Sequence, residues 1–129
     1  MLPSLAIVIV NWNSFDVTRN CLASLSDIDY PDYRVIVVDN GSNDGSGDKL
    51  KAQFPKIVLL KNEKNLGFTG GNNTGIEFAV NENLELLMLL NNDTIVTPDF
   101  ASSLVAVLQQ DVNIGAIQPK IMFNQEREV

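Results

Sequence analysis

Histidine is absent from this sequence. That removes Ser-His triads, histidine general bases and the usual His-containing zinc sites. Acid–base or metal chemistry has to rest on carboxylates, amides and hydroxyls. There is one cysteine, Cys21, so no internal disulfide can form, as suits a reducing compartment. Cys21 shares a helical spacing with Val17, Leu22 and Leu25, which predicts a buried thiol rather than a reactive one. Long hydrophobic runs are missing too. The densest, Leu5 to Val10 and Leu84 to Leu90, have strand length, well short of the ~18–20 apolar residues a membrane span requires. The N-terminus has no basic region followed by a long apolar segment, which argues against a secretory signal. Basic residues are few and scattered: nine Lys and Arg face 16 Asp and Glu, for a net charge of -7. No basic stripe of the kind nucleic-acid binders carry is visible. The acidity serves solubility; a sharper reading is that some carboxylates hold a divalent cation and so let an acidic protein take an anionic ligand.

What is present is a chain of 129 residues, 45% apolar and 19% charged, enough for one domain around one core. Residues 5–10 form an unbroken apolar run, expected as a strand buried on both faces. Residues 14–26 follow as an amphipathic helix with Ser14 or Asn13 as its cap. Further strands are predicted at 34–38, 57–60, 86–90 and 114–118. Between them lie a short helix ending near Phe54, where Pro55 stops it, and a helix from about Gly70 to Asn81 with Ile76, Ala79 and Val80 inward. A last helix starts at Thr97-Pro98, with Phe100, Leu104, Val105 and Leu108 on its inner face. Apolar strands alternating with amphipathic helices predict an α/β fold: a mainly parallel sheet with helices on both faces.

In such a sheet, ligands bind beyond the carboxyl ends of the strands, near the point where strand order reverses. Polar clusters stand at three of those ends: Asn11-Trp12-Asn13, Asp39-Asn40, and Asn91-Asn92-Asp93-Thr94. Asn, Asp and Ser also serve as ordinary turn residues, but three clusters on one predicted edge point to a ligand site. Asp93 is the candidate metal ligand, since it leaves an apolar strand with amides beside it and no basic neighbour. Oxygen donors of this kind suit Mg or Mn, with ligand phosphates completing the shell. The run from Asn65 to Gly75 is rich in glycine, Gly67 among them. Exposed N–H groups at such a helix start favour phosphate, and the same residues also make a tight turn into a packed helix. The spacing matches neither a P-loop nor the dinucleotide fingerprint. Trp12 is either a stacking surface for a base or a cover for the core edge, and burial is the commoner use.

Four segments together resemble the N-terminal part of the family 2 glycosyltransferases, in their rhamnosyltransferase-like branch. They are Ile7 to Asn13, Val37 to Ser46, Asn65 to Phe68 with Asn73-Thr74-Gly75, and Leu89 to Thr94. The resemblance implies a Rossmann-like GT-A fold, and transfer of a hexosyl or rhamnosyl group from a nucleotide-diphosphate donor, with inversion, to a saccharide or lipid-linked acceptor. It implies that Asn11 and Asn13 lie beside the base and ribose, and that Asp39 hydrogen-bonds the base, typically uracil or thymine. By the same comparison Asn73 lies near the donor diphosphate, and Asn91-Asn92-Asp93 takes the place of the D-x-D metal motif. UDP- or dTDP-linked sugars and a Mg or Mn ion are the implied ligands. The sequence departs from the pattern at Asn91, which replaces the first Asp of the motif and leaves Asp93 as the main metal ligand, with Asn91 toward ribose or an outer water. It departs again at Asn72, where many members carry a basic residue.

The resemblance places the catalytic base in an acceptor-binding half beyond residue 129. Residues 1–129 are therefore expected to be the donor-binding half alone, with no catalytic residue of its own. Apolar surface exposed around Ile117 to Phe123 is expected to drive self-association. The implied location is cytoplasmic, with peripheral attachment at the inner membrane face left open for a full-length protein. Two other readings compete. A non-catalytic nucleotide-binding or assembly module would keep this fold with a degenerate site, as Asn91 hints. A haloacid-dehalogenase-like hydrolase resembles the Asn91–Thr94 segment superficially, but its nucleophilic Asp would have to be Asn91, and its motif belongs on the first strand.

Overall fold

A computed structural model describes residues 1–123. The elements run β1 (Leu5–Asn11), α1 (Phe15–Leu25), β2 (Tyr33–Asn40), α2 (Ser46–Gln53), β3 (Val58–Asn62), α3 (Gly67–Asn81), β4 (Leu86–Leu89) and α4 (Phe100–Leu108). The four strands form one sheet in the order β3-β2-β1-β4, and every pairing is parallel. The predicted α/β architecture is therefore the observed one.

The central strand β1 explains the two-layered core. Its alternate side chains Leu5, Ile7 and Ile9 pack with Cys21, Leu22 and Leu25 of α1, Leu50 of α2, and Ala101 and Val105 of α4. Ala6 and Val8 face the other way, onto Ile36, Val38 and Ala79 of α3. Strands covered on both faces read as continuous apolar runs for this reason. On the α3 side contact is close. A Cβ on Gly75 would collide with Val8, and one on Gly71 would reach 2.9 Å from Val10 Cγ1. Glycine at these positions lets the helix backbone rest directly on the sheet.

Several expectations need correction. No strand forms at 114–118; residues 111–123 carry no regular element and are mostly exposed. A strand gains its hydrogen bonds only from a neighbour, and among the described residues nothing pairs with this one. The last helix starts at Phe100 with Asp99 at its cap, and Pro98 lies in the preceding turn. Its buried residues are Ala101 and Val105, with Leu104 and Leu108 half-buried. On α1 the buried stripe takes Thr18 and leaves Val17 exposed. On α3, Val80 is exposed, and Gly71, Asn72 and Gly75 are buried instead. In each helix a small or polar residue faces inward because the layer beneath is close or polar, a property that apolar spacing does not report.

Candidate functional site

From β1 the chain proceeds outward to β2 and β3 on one side, then crosses back to place β4 on the other. The carboxyl ends of β1 and β4 therefore flank the switch point, where the diverging connections leave a crevice. A cleft of about 370 Å³ opens there, lined by Val10, Trp12, Ser14, Phe68, Asn72, Leu90, Asn91, Asn92 and Asp93. That volume falls in the range of about 300–1,000 Å³ typical of small-ligand sites. A second cavity of about 500 Å³ lies between the end of α2 and the start of β2, among Leu22, Leu25, Val35, Phe54 and Ile57, and carries no carboxylate.

Beside the cleft, β1 and β2 end in register, Asn11 opposite Asp39. Both side chains are buried, Asn11 fully. The Asn11 amide donates to Asp39 Oδ1 at 3.2 Å and to Ser46 Oγ at 2.8 Å, and its carbonyl oxygen accepts from Thr18 Oγ1 at 2.8 Å. Ser46 and Gly47 open α2 directly over the strand end. A Cβ on Gly47 would collide with the Asp39 carboxylate, so glycine there lets the helix start close over it. Asp44, two residues earlier, accepts the Ser46 backbone N–H at 2.9 Å, and the hydrogen bonds from Ser46 hold its carboxyl below the usual range.

Asn13 lies outside this buried group. It is exposed, with φ of 47°, a left-handed conformation that Asn tolerates better than most residues. Its backbone N–H donates to Ser42 Oγ, and its side-chain oxygen accepts from the Asn43 N–H. Asn13 thus ties the β1–α1 loop to the β2–α2 loop. Ser14 is the cap residue of α1, but its hydroxyl donates to the Trp12 carbonyl rather than accepting from the helix.

On the far wall, the turn before α3 is held to β2 by Asn40, which is buried. Its amide donates to Asn65 Oδ1 and the Gly67 carbonyl, and its oxygen accepts from Asn62 Nδ2 and the Leu66 N–H. Gly67 has φ of 75° with open space beside it, and Phe68 follows on the cleft wall. Asn72 lines the cleft and donates to the Phe68 carbonyl, whereas Asn73 is exposed and outside the lining.

The Asn91–Thr94 segment forms the third wall. Asn92 Nδ2 donates to Thr18 Oγ1 at 3.0 Å, which joins this wall to the Asn11 group. Cys21 lies buried beneath, its Sγ 3.9 Å from the Asn91 carbonyl oxygen. Burial, and then the negative charge of Asp93, push the Cys21 thiol up to about 12. Asp93 is the sole carboxylate of the cleft lining, and no group of three carboxylate, Cys or His side chains gathers among the described residues. A hard divalent cation would find one carboxylate and neighbouring amide oxygens here; the remaining positions would fall to ligand oxygens.

Trp12, expected to pack against the core edge, is 51% exposed on the cleft wall, and Phe68 is 67% exposed across the opening. For Trp12 the exposure favours the stacking alternative over the core-edge one; Phe68 carried no site reading of its own. A signal existed for both: each is a large apolar residue inside a polar or glycine-rich loop, where no strand or helix period gives it a core to join. Thr18 and Ser46 were also missed, because a hydroxyl inside a helix carries no mark of what it faces.

The chain resembles known proteins along nearly all its length. The model of "Glycosyl transferase family 2" matches residues 6–128. The low-salt glycan biosynthesis hexosyltransferase Agl10 of Haloferax volcanii is 30% identical over 123 residues, 95% of this chain and 38% of that protein. A poly-beta-1,6-N-acetyl-D-glucosamine synthase of Staphylococcus epidermidis is 22% identical over 119 residues, 90% of this chain and 28% of that protein. Among solved structures, the mannosyltransferase PcManGT from Pyrobaculum calidifontis, in complex with GDP-Man and Mn2+, superposes with a TM-score of 0.73 at 21% identity, over 84% of this chain and 33% of that one. S. aureus TarS 1-349 in complex with UDP superposes with a TM-score of 0.71 at 18% identity, over 94% of this chain and 39% of that one. The chain thus spans well under half the length of these relatives. With the family's model matched from β1 onward and the same GT-A fold in solved relatives, this chain belongs to glycosyl transferase family 2.

Proposed function

We propose that this chain is the donor-binding half of an inverting, metal-assisted glycosyltransferase that takes a UDP- or dTDP-linked hexose or rhamnose. The observation that carries the reading is the cleft at the β1/β4 switch point, where Asp93 and two exposed aromatic rings share one opening. Beside it the Asp39–Asn11 pair offers a carboxylate for a base. Trp12 gives a face on which a base can stack. The open backbone around Gly67 suits a diphosphate, and Asn73, farther along α3 and exposed, is proposed to reach toward it. Asn13 borders the ribose from the loop above Asn11, and Asn91 stands beside Asp93 toward the ribose or an outer water.

A bound Mg or Mn ion, held by Asp93, would neutralise charge as the sugar–phosphate bond breaks. The rest of the work assigned to this chain is binding: orienting the base, fixing the diphosphate and holding the sugar toward the acceptor. The base that deprotonates the acceptor hydroxyl is proposed to lie in an acceptor-binding half of a longer protein, since Asp93 is the one carboxylate on the cleft wall. The acceptor is a saccharide or a lipid-linked saccharide, and the product feeds cell-wall or polysaccharide synthesis at the cytoplasmic face of a membrane. No helix among the described residues is long and apolar enough to cross a membrane.

Calorimetric titration of UDP and dTDP, with and without Mn, tests the reading. Mn-dependent binding that falls at least tenfold in both Asp93→Ala and Asp39→Ala is the expected result. Absence of binding in either condition would instead favour a non-catalytic module with a degenerate site.

A further inference from the structure

We propose that Thr18 is a positioning residue that couples the base-facing end of the donor site to its diphosphate-facing end. The proposal rests on the donor-binding reading above. Thr18 is fully buried one turn into α1 and does not itself line the cleft. Its hydroxyl links Asn92 on the β4 side to Asn11 on the β1 side: Asn92 Nδ2 to Thr18 Oγ1 at 3.0 Å, and Thr18 Oγ1 to Asn11 Oδ1 at 2.8 Å.

The direction of every bond in this chain is dictated by its far end. Asp39 is a carboxylate and only accepts, so Asn11 must turn its amide NH₂ toward it and toward Ser46. The Asn11 carbonyl oxygen then faces Thr18 and only accepts, which commits the single Thr18 proton to it. The Thr18 oxygen is left with lone pairs alone, and Asn92 must meet it with NH₂. Asn92 lines the cleft beside Asp93, and with its NH₂ committed to Thr18 its carbonyl oxygen is the group left for a cation or an outer water. Reversing any one amide would set two acceptors against each other. No buried side-chain nitrogen or oxygen lacks a partner among the described residues, so every buried atom of the relay is engaged. Bonds aligned head to tail in a buried setting reinforce one another. Thr18 thereby sets which face of Asn92 the diphosphate end presents, according to the charge of Asp39 at the base end.

The measurement compares UDP with UMP, with and without Mn, on the protein and its variants. In Thr18→Val, Mn-dependent UDP affinity should fall about threefold to tenfold, the worth of one buried neutral hydrogen bond, with UMP affinity kept within about twofold. Thr18→Ser should restore UDP affinity. Asn92→Ala cuts the relay at its cleft end without orphaning the Thr18 proton, so it guards against a Thr18→Val protein that folds poorly. It should show the same loss, and the double variant should be no worse than either single one. The Asn92 side-chain amide resonances should shift in Thr18→Val and return in Thr18→Ser. Equal loss of UDP and UMP in Thr18→Val, additive losses in the double variant, or an unmoved Asn92 amide would overturn the coupling with the donor reading intact. A wild-type protein that binds no UDP with Mn overturns both.

Discussion

At the residue scale, the proposed cation site turns on one carboxylate and the amides beside it. Asp93 alone would make a thin site, since Mg and Mn favour several oxygen ligands. Asn91 is exposed on the same wall, so an added carboxylate there costs little desolvation. Asn91→Asp should therefore tighten Mn-dependent UDP binding about fivefold to tenfold, at the scale of a charge-assisted contact. Isothermal titration at fixed ionic strength checks it, and an unchanged or weaker affinity would place Asn91 away from the cation. Cys21 offers a second residue-scale test. Burial and the Asp93 charge lift its thiol from 9.0 to about 12. The native protein keeps the proton where the unfolded chain loses it, so this stabilising contribution is full below about pH 9 and drains away toward pH 12. Unfolding midpoints should decline over that window, and Cys21→Ala should flatten the decline. The thiol should also resist disulfide reagents at pH 8 until the protein is unfolded.

At the element scale, α3 is the most constrained helix. Glycines at 71 and 75 bring its backbone onto β1 and β2, and Asn40 fastens its start to the end of β2. Gly75→Ala sets two effects against each other. Helix propensity improves by roughly 1 kcal/mol, but the new methyl meets Val8 in a packed layer, and overpacking of this sort costs about 1–3 kcal/mol. Both neighbours of that methyl are strand residues with no exposure to retreat into, Val8 and Val38. Overpacking should win, and the urea midpoint should fall. A rise would mean that α3 can lift off the sheet, and with it the Phe68 wall of the cleft.

At the scale of the whole molecule, the open edge of β4 stands out. Among the described residues this strand pairs only with β1, and Leu87 and Leu89 are 45% and 49% exposed on it. Ile121, Met122 and Phe123 are exposed as well, while Ile117, expected among them, is half-buried. An apolar, unpaired strand edge is a template for association. The protein should form dimers or larger species as concentration rises, and Leu89→Lys should shift it toward monomer in sedimentation velocity. A single monomeric species for the unsubstituted chain at high concentration would contradict this. Residues 124–129 lie outside the described residues.

The sequence alone determined the order of strands and helices as far as α4, the parallel sheet and its two covered faces. Apolar runs of strand length alternating with helical periods have few other solutions. It also determined which strand ends carry polar residues, and so where Asn11, Asp39 and Asp93 would stand. Tertiary structure decided what those residues do to one another. The Asn11–Asp39 register, the burial of Thr18 and Ser46, and the exposure of Trp12 and Phe68 all follow from which elements become neighbours. Periodicity reports which face of an element is apolar, but not what lies opposite it. The same limit explains the strand expected at 114–118: its residues suit a strand, but a strand exists only where a partner offers its backbone, and among the described residues none does.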